Sequence, residues 1–487
     1  MSNQNQLFVG YDLSGIQKFL YNISSKKAAV SLKGRSFYLT EYMHHLKDNV
    51  VNTLRNKYGV KSDVVYCSGG KMYLITESTK EVIDTLTTIL QEERLHLWNE
   101  HFGLIGLNMG HVSFSENTDG SVKVEGEDKF VKPGILWQKV NEQFNHQKNR
   151  KFIDLITEQF NSFFSPISVN ENTKVCAVTG IESPKCVEVS FEKNEEDEGD
   201  SFYVLPSVKE QIELGEKLRN KQHFKTFEEY AKNSKLGILR MDVDGLGKRF
   251  ISGFPSIDAY RKFSGRLVEF FEKEVYALRE NEEYKDYLNI IYAGGDDLFV
   301  VGRWDKVIDF AEKIHEETAK RFADEGITIS GGVVVVNAKF PIAKAAELAG
   351  EAEDEAKNFK NNEKNAIHFL GRTVSWEKEF DYVKQYKDDF INLIKDFSLS
   401  KGILHKLMLY ADIAEHNKTL QLQGKPLDYS YQWHIVYYLS RYKERYKSNK
   451  SIPFFCDKIS SDISTNGRNL KLIALSARWA ELILRDK

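Results

Sequence analysis

The chain has 487 residues, enough for two to four domains at roughly 150 residues each. Hydrophobic residues make up 41% and charged residues 29%, and the formal net charge of −3 excludes a global basic field for nucleic acid, so any RNA contact must use local patches or partner subunits. No apolar run approaches the ~20 residues of a membrane span, residues 1–6 lack a signal-peptide pattern, and Cys67, Cys176, Cys186 and Cys456 form no disulfide framework, which together point to the cytoplasm.

In chain order, 6–11 reads as a strand, and Asp12-Leu-Ser-Gly-Ile-Gln-Lys-Phe19 as its turn into a helix. Residues 23–34 look like a basic, Ser-containing loop, and 35–58 show helical spacing through Phe37, Leu39, Tyr42, Met43 and Leu46. A strand over 62–66, a turn at Ser68-Gly69-Gly70 and a return strand over 72–76 follow. Residues 80–98 are helical and 102–114 read as a strand or strand pair. The order β-α-β-β-α-β is the ferredoxin-like arrangement of a palm, here bounded at 1–116.

Residues 117–235 form a small α/β insert. Its stretch 134–164 is amphipathic and helical, and 192–200 is an acidic run most simply read as a solvated loop. Cys176-Ala-Val-Thr-Gly and Pro184-Lys-Cys186 resemble half of a zinc module. Structural zinc wants four ligands at C-x₂-C spacing, but Thr179 stands where a second Cys belongs and Cys186 has no near partner, so zinc is not expected.

The same order recurs over 236–377, with a strand at 236–242, a helix at 256–280 and a hairpin around Gly294-Gly295. A helix at 305–324, a strand at 327–337 and a helix at 342–358 started by Pro341 complete the copy. Residues 366–370 suit a short strand, and 378–487 read as an all-α bundle with a basic face, broken at Gly424-Lys-Pro and at 448–453. The fold class is therefore α+β, with two ferredoxin-like palms, an insert between them and a helical C-terminal domain.

The chemistry concentrates in the second copy. Gly294-Gly295 is followed at once by Asp296 and Asp297, and the strand 236–242 ends in Asp242 with Asp244 beyond it. Adjacent carboxylates repel, and Mg²⁺ or Mn²⁺ with a phosphate co-ligand would offset the repulsion. A strand-end carboxylate beside a hairpin bearing two more is how nucleotidyl-transfer palms hold two ions. The copies also match in residues: Val9-Gly-Tyr-Asp12 lies against Leu239-Arg-Met-Asp242, and 65–74 against 291–299 with a one-residue shift. The repeat predicts two palms about a pseudo-twofold axis, their glycine turns facing each other across a cleft for two nucleotides. The first turn carries Ser68 and Lys71 and no carboxylate, so the second palm should hold the metals and the first a nucleotide without them.

Asp12-Leu-Ser-Gly-Ile-Gln-Lys-Phe19, Ser31-Leu-Lys-Gly-Arg-Ser-Phe-Tyr-Leu39, Asp242-Val-Asp-Gly-Leu-Gly247, Tyr292-Ala-Gly-Gly-Asp-Asp-Leu298, Ile329-Ser-Gly-Gly-Val333 and Phe340-Pro-Ile342 leading to Ala356-Lys357 resemble the large polymerase-like subunit of type III CRISPR interference complexes. The wording of 31–39 is closer to the Csm-type than to the Cmr-type branch. The resemblance implies that ATP is joined into cyclic oligoadenylate when a complex of further subunits and guide RNA binds target RNA. It implies that Asp242, Asp296 and Asp297 hold two Mg²⁺ or Mn²⁺, with Asp244 assisting or only shaping its turn. Gly294 and Gly295 would sit at the metal-bound nucleotide, Lys357 would contact phosphate, and Asp12, Gly69 and Gly70 would border the acceptor ATP. The bland alternatives are a solvated helix Lys at 357 and, at Asp12, a strand-end cap of the next helix. Many relatives carry an N-terminal HD nuclease domain, but here the palm begins at once and none of the 12 histidines precedes an Asp, so DNase activity is not expected. Competing readings are conjugation of AMP to S-adenosylmethionine by the same palm, a diguanylate cyclase with its GGDEF palm, and a scaffold subunit without chemistry.

Overall fold

The computed structural model describes residues 5–24, 27–158, 160–165, 173–190, 201–232, 234–465 and 467–486. The acidic run over 192–200 lies outside the described residues. The chain divides into two compact units, 1–310 with 336–348, and 311–335 with 349–487. Among the described residues no helix is long and apolar enough to cross a membrane.

The first unit opens on strand β1 (Gln6–Ser14), buried along nearly its whole length. It is followed by the long helix α1 (Ala28–Tyr58), the hairpin of β2 (Asp63–Ser68) and β3 (Lys71–Glu77), α2 (Lys80–His101), β4 (Gly106–Glu116) and β5 (Val122–Val124). The sheet runs β2-β3-β1-β4-β5, and β1 pairs antiparallel with both β3 and β4. Gly10 and Gly110 sit directly opposite each other in β1 and β4. A Cβ at Gly10 would stand 2.7 Å from Val140 and one at Gly110 2.8 Å from the Val140 carbonyl, so helix α3 (Gly134–Lys148) rests on bare backbone.

Helix α1 begins at Ala28, so residues 28–34 are helical and not the loop expected for 23–34. Gly34 is there for close approach. Helix α4 (Pro206–Gln222) crosses at this point, and a Cβ at Gly34 would lie 1.8 Å from the Gln211 carbonyl oxygen, as one at Gly215 would lie 2.1 Å from that of Val30. Between α3 and α4, two short antiparallel pairs, Lys174–Val175 with Glu182–Ser183 and Val187–Val189 with Phe202–Val204, enclose an apolar cluster containing Cys176, Val178 and Val204.

Strand β6 (Leu236–Val243) follows, then α5 (Ile257–Glu269), a π-helical turn (Phe270–Glu274), α6 (Val275–Arg279) and the hairpin of β7 (Leu288–Gly294) and β8 (Asp297–Arg303). β8 pairs antiparallel with both β7 and β6. Trp137 of α3 stacks on Tyr260 of α5 with ring centroids 3.7 Å apart and planes 9° from parallel, and Phe250 stacks beyond it.

In the second unit, β9 (Ile329–Val336) runs parallel to β10 (Ala366–Phe369), which turns through Leu370 and Gly371, both at positive φ, into β11 (Arg372–Ser375). This last strand has no counterpart among the elements expected from the sequence, which end this copy with the short strand at 366–370. Five helices complete the unit: α8 (Asp381–Phe397), α9 (Gly402–Leu422), α10 (Ser430–Arg445), α11 (Ser451–Thr465) and α12 (Asn469–Arg485), preceded by α7 (Ile342–Lys357). The breaks fall at 423–429 and 446–450, where Gly424-Lys-Pro and the start of the 448–453 stretch put them. Their shared core includes Tyr386, Phe390, Leu404, Phe455 and Ile473. The outer face of α10 leaves Trp433, Val436 and Tyr437 exposed at i, i+3 and i+4.

Candidate active site

Asp242 is the seventh of eight residues in β6 and pairs across the ladder with Asp297, the first residue of β8. Antiparallel partners put their side chains on one face of the sheet. The two-residue turn between β7 and β8 is Gly295-Asp296, because Gly294 is still in β7 and pairs with Asp297. This corrects the expected Gly294-Gly295 turn. Gly295, at φ 69, is the first central residue, where a type II′ hairpin takes glycine. The Asp296 carbonyl accepts the Val243 amide at 3.2 Å, tying the turn to the end of β6.

Asp242, Asp296 and Asp297 are half-buried, and one ligand oxygen from each falls within 4.8 Å of the others. At an effective dielectric of about 20, charges at that spacing repel by roughly 3–4 kcal/mol per pair, less where solvent screens them. Three hard oxygen donors converging within this distance are a donor set that suits Mg²⁺ or Mn²⁺. Asp244 lies two residues past Asp242 and outside this cluster.

The first repeat shows the same register with other chemistry. Asp12 pairs across the ladder with Lys71 as Asp242 does with Asp297. Both hairpins carry an irregularity just before a tyrosine, Tyr66 in one and Tyr292 in the other. Matching the tyrosines sets Ser68 against Gly294, Gly69 against Gly295, Gly70 against Asp296 and Lys71 against Asp297, so no one-residue shift is needed. Asp12 itself is 2% exposed, and Lys148 of α3 meets its carboxylate at 2.9 Å. It does not cap the following short helix, whose N-cap is Gly15 without a side-chain bond. An ammonium thus stands beside the one carboxylate that the first repeat retains.

The two glycine turns are in contact, not separated by a cleft as expected. A Cβ on Gly69 would lie 2.9 Å from the Gly295 Cα, and one on Gly295 would lie 3.1 Å from the Gly69 Cα. Gly70, at φ 77, faces Ile16, whose Cδ1 a Cβ would meet at 2.3 Å. A side chain at Gly70 therefore collides within the first repeat before any nucleotide is considered. Lys357 is in the second unit and pairs with Glu353 one turn earlier at 2.5 Å, the ordinary partner of a helical lysine.

Beside the joined turns is a cavity of about 430 Å³, lined by Gly69, Gly70 and Gly294 but not by the three aspartates. Lys33 reaches into its wall, donating to the Ile290 carbonyl at 2.7 Å and lying 4.8 Å from the Tyr276 ring centre. Burial, with the nearby Arg279 charge, pulls the Lys33 ammonium down to about 7. Two further buried donors on this wall, Arg279 Nη2 and Asn289 Nδ2, have no hydrogen-bond partner among the described residues. Burial, followed by the charge of Asp296, raises the Tyr66 hydroxyl well above its usual value; burial and the charges of Asp297 and Asp296 do the same at Tyr292. The sequence reading missed Lys33, Tyr66 and Tyr292, although Val65-Tyr66-Cys67 and Ile291-Tyr292-Ala293 repeat the tyrosine at one place in both copies.

Residues 235–368 match the family model for the second palm domain of Cas10/Cmr2, and 5–166 that for domain B of the Csm1 subunit. The chain is 27% identical over 420 residues to the Enterococcus italicus protein called CRISPR system single-strand-specific deoxyribonuclease Cas10/Csm1 (subtype III-A), covering 73% of this chain and 53% of that one. The Streptococcus thermophilus protein of the same name is 24% identical over 503 residues, 90% of this chain and 62% of its own. The chain thus spans little more than half the length of such curated relatives. A crystal structure of the Csm1-Csm4 cassette in complex with cA4 superposes with a TM-score of 0.69 at 17% identity, covering 98% of this chain and 70% of that one, and the apo cassette gives 0.67.

Proposed function

We propose that this chain, a member of the Csm-type Cas10 family, is the nucleotide-joining subunit of a type III CRISPR interference complex and makes cyclic oligoadenylate from ATP. The convergence of Asp242, Asp296 and Asp297 carries the reading. On it, the chain is organised as 1–116 first palm, 117–235 insert, 236–377 second palm and 378–487 helical domain, with both palms ferredoxin-like. The partners are other subunits of the complex, guide RNA and target RNA, and the setting is the cytoplasm.

Two divalent ions held there would supply a lowered pKa at the attacking 3′-hydroxyl and charge neutralisation at the leaving pyrophosphate. This chain's residues would do the rest. Asp242 and Asp297, fixed across one ladder, set one edge of the site, and Asp296 at the turn sets the other. The first repeat would hold the acceptor nucleotide with no metal of its own, since Gly70 and Lys71 stand where Asp296 and Asp297 stand and Lys148 neutralises Asp12. The cavity beside the turns would take a nucleobase, because Lys33, Arg279 and Asn289 offer buried donors to ring-nitrogen acceptors such as those of adenine.

The experiment is mass spectrometry of products formed from ATP and Mn²⁺ by the assembled complex with target RNA, with and without S-adenosylmethionine. Cyclic oligoadenylate is expected from the wild type, and none from Asp296→Asn with Asp297→Asn in an intact complex. Full product from the double variant would overturn the site, and an AMP conjugate formed in place of rings would overturn the product.

A further inference from the structure

We infer that Ser68 and Glu272 form a positioning relay that fixes the metal-side hairpin from outside its own sheet, and this rests on the nucleotidyl-transfer reading of the three aspartates. The Gly295 amide, next to Asp296, donates to Ser68 Oγ at 2.9 Å in a buried bond. Ser68 Oγ in turn lies 2.5 Å from Glu272 Oε1. A hydroxyl has one proton to give. The amide takes up its acceptor side, so its own proton goes to Glu272, and the chain runs one way, from amide to hydroxyl to carboxylate. A carboxylate terminus makes the last bond charge-assisted and short.

Two features show that the relay is built. Glu272 sits inside the π-helical turn Phe270–Glu274, a rare element that shifts the helix register. The turn lets the adjacent rings of Phe270 and Phe271 both bury completely while Glu272 faces Ser68. The second feature is the asymmetry of the repeat. Ser68 stands where the second repeat has Gly294, so the copy without hairpin carboxylates bears a hydroxyl one position before the backbone contact of Gly69 with Gly295. Backbone contact alone sets distance, whereas the hydroxyl sets direction. Asp296 is the next residue along, so orienting the Gly295 peptide orients the carboxylate that must meet Asp242 and Asp297.

The test is hydrogen exchange of the metal-free, full-length chain over 294–298, with Ser68→Ala, Glu272→Ala and Ser68→Thr. Loss of one buried hydrogen bond should speed exchange there about tenfold in both Ala variants. Ser68→Thr keeps the hydroxyl and should remain within about twofold of wild type, with β1 amides unchanged throughout. In the complex, the Ala variants should lower kcat for nucleotide joining far more than they change KM for ATP, and Ser68→Thr should restore it. Unchanged hairpin exchange in Ser68→Ala, equal acceleration in Ser68→Thr, or acceleration that extends to β1 would each overturn the relay. Exchange is read without metal or ATP, so a wild-type complex that makes no product would overturn the functional reading and leave this result standing.

Discussion

Burial draws the Lys33 ammonium from 10.5 down to about 7, with the Arg279 charge adding to the shift. The unfolded chain keeps this proton until near 10.5 and the folded chain releases it near 7. Between those values the unfolded state binds more protons, so folding gains stability as pH rises across the window, and the cost of burying the charge is present in full below it. Melting temperatures of wild type and Lys33→Met, compared at about pH 6.5 and about pH 9.5, should therefore move in favour of the wild type at the higher pH. Parallel profiles would show that Lys33 stays charged in the fold. At this scale the sequence told only part of the story. Asp242, Asp296 and Asp297 were legible because carboxylates at strand ends break the apolar pattern around them. Ser68 and Glu272 were not, since they are 204 residues apart and neither is unusual among its neighbours.

Among the elements, α1 and α4 show how a glycine can be misread. Gly34 in a basic stretch looks like a loop, yet it is buried where α4 crosses, and a Cβ there would stand only 1.8 Å from the Gln211 carbonyl oxygen. Gly34→Ala should push the helices apart and lower stability by at least roughly 1–3 kcal/mol, read as a fall in urea midpoint at unchanged slope. An unchanged midpoint would mean that the helices can separate without cost. Hairpin register explains another miss. Two glycines in a row suggested the turn at Gly294-Gly295, but β7 keeps Gly294 in its ladder opposite Asp297 and the turn moves on by one. That single step is what brings Asp296 onto the turn and Asp297 onto the strand.

For the molecule as a whole, the repeat was readable from residues because both copies keep an Asp at the end of their first strand and a Tyr before the hairpin turn. How the turns meet was not readable, because backbone contact between distant glycines leaves no pattern in composition. Mn²⁺ held by Asp242, Asp296 and Asp297 should raise the melting temperature of the chain, because a ligand that binds only the folded state stabilises it by mass action. In Asp296→Asn with Asp297→Asn that rise should vanish. An equal rise in the double variant would show that the ion binds elsewhere.

The exposed face of α10 has an optical consequence. Of the six tryptophans, Trp137, Trp304, Trp376 and Trp479 are buried and Trp98 is half-buried, whereas Trp433 is 61% exposed. The red edge of the emission spectrum should therefore come mainly from one indole, and iodide should quench that component first. Trp433→Phe should shift the remaining emission toward the blue and make it resistant to iodide. The same indole then serves as a lamp on the helical domain: its colour, followed as the chain is mixed with other components, reports directly whether α10 is wet or covered.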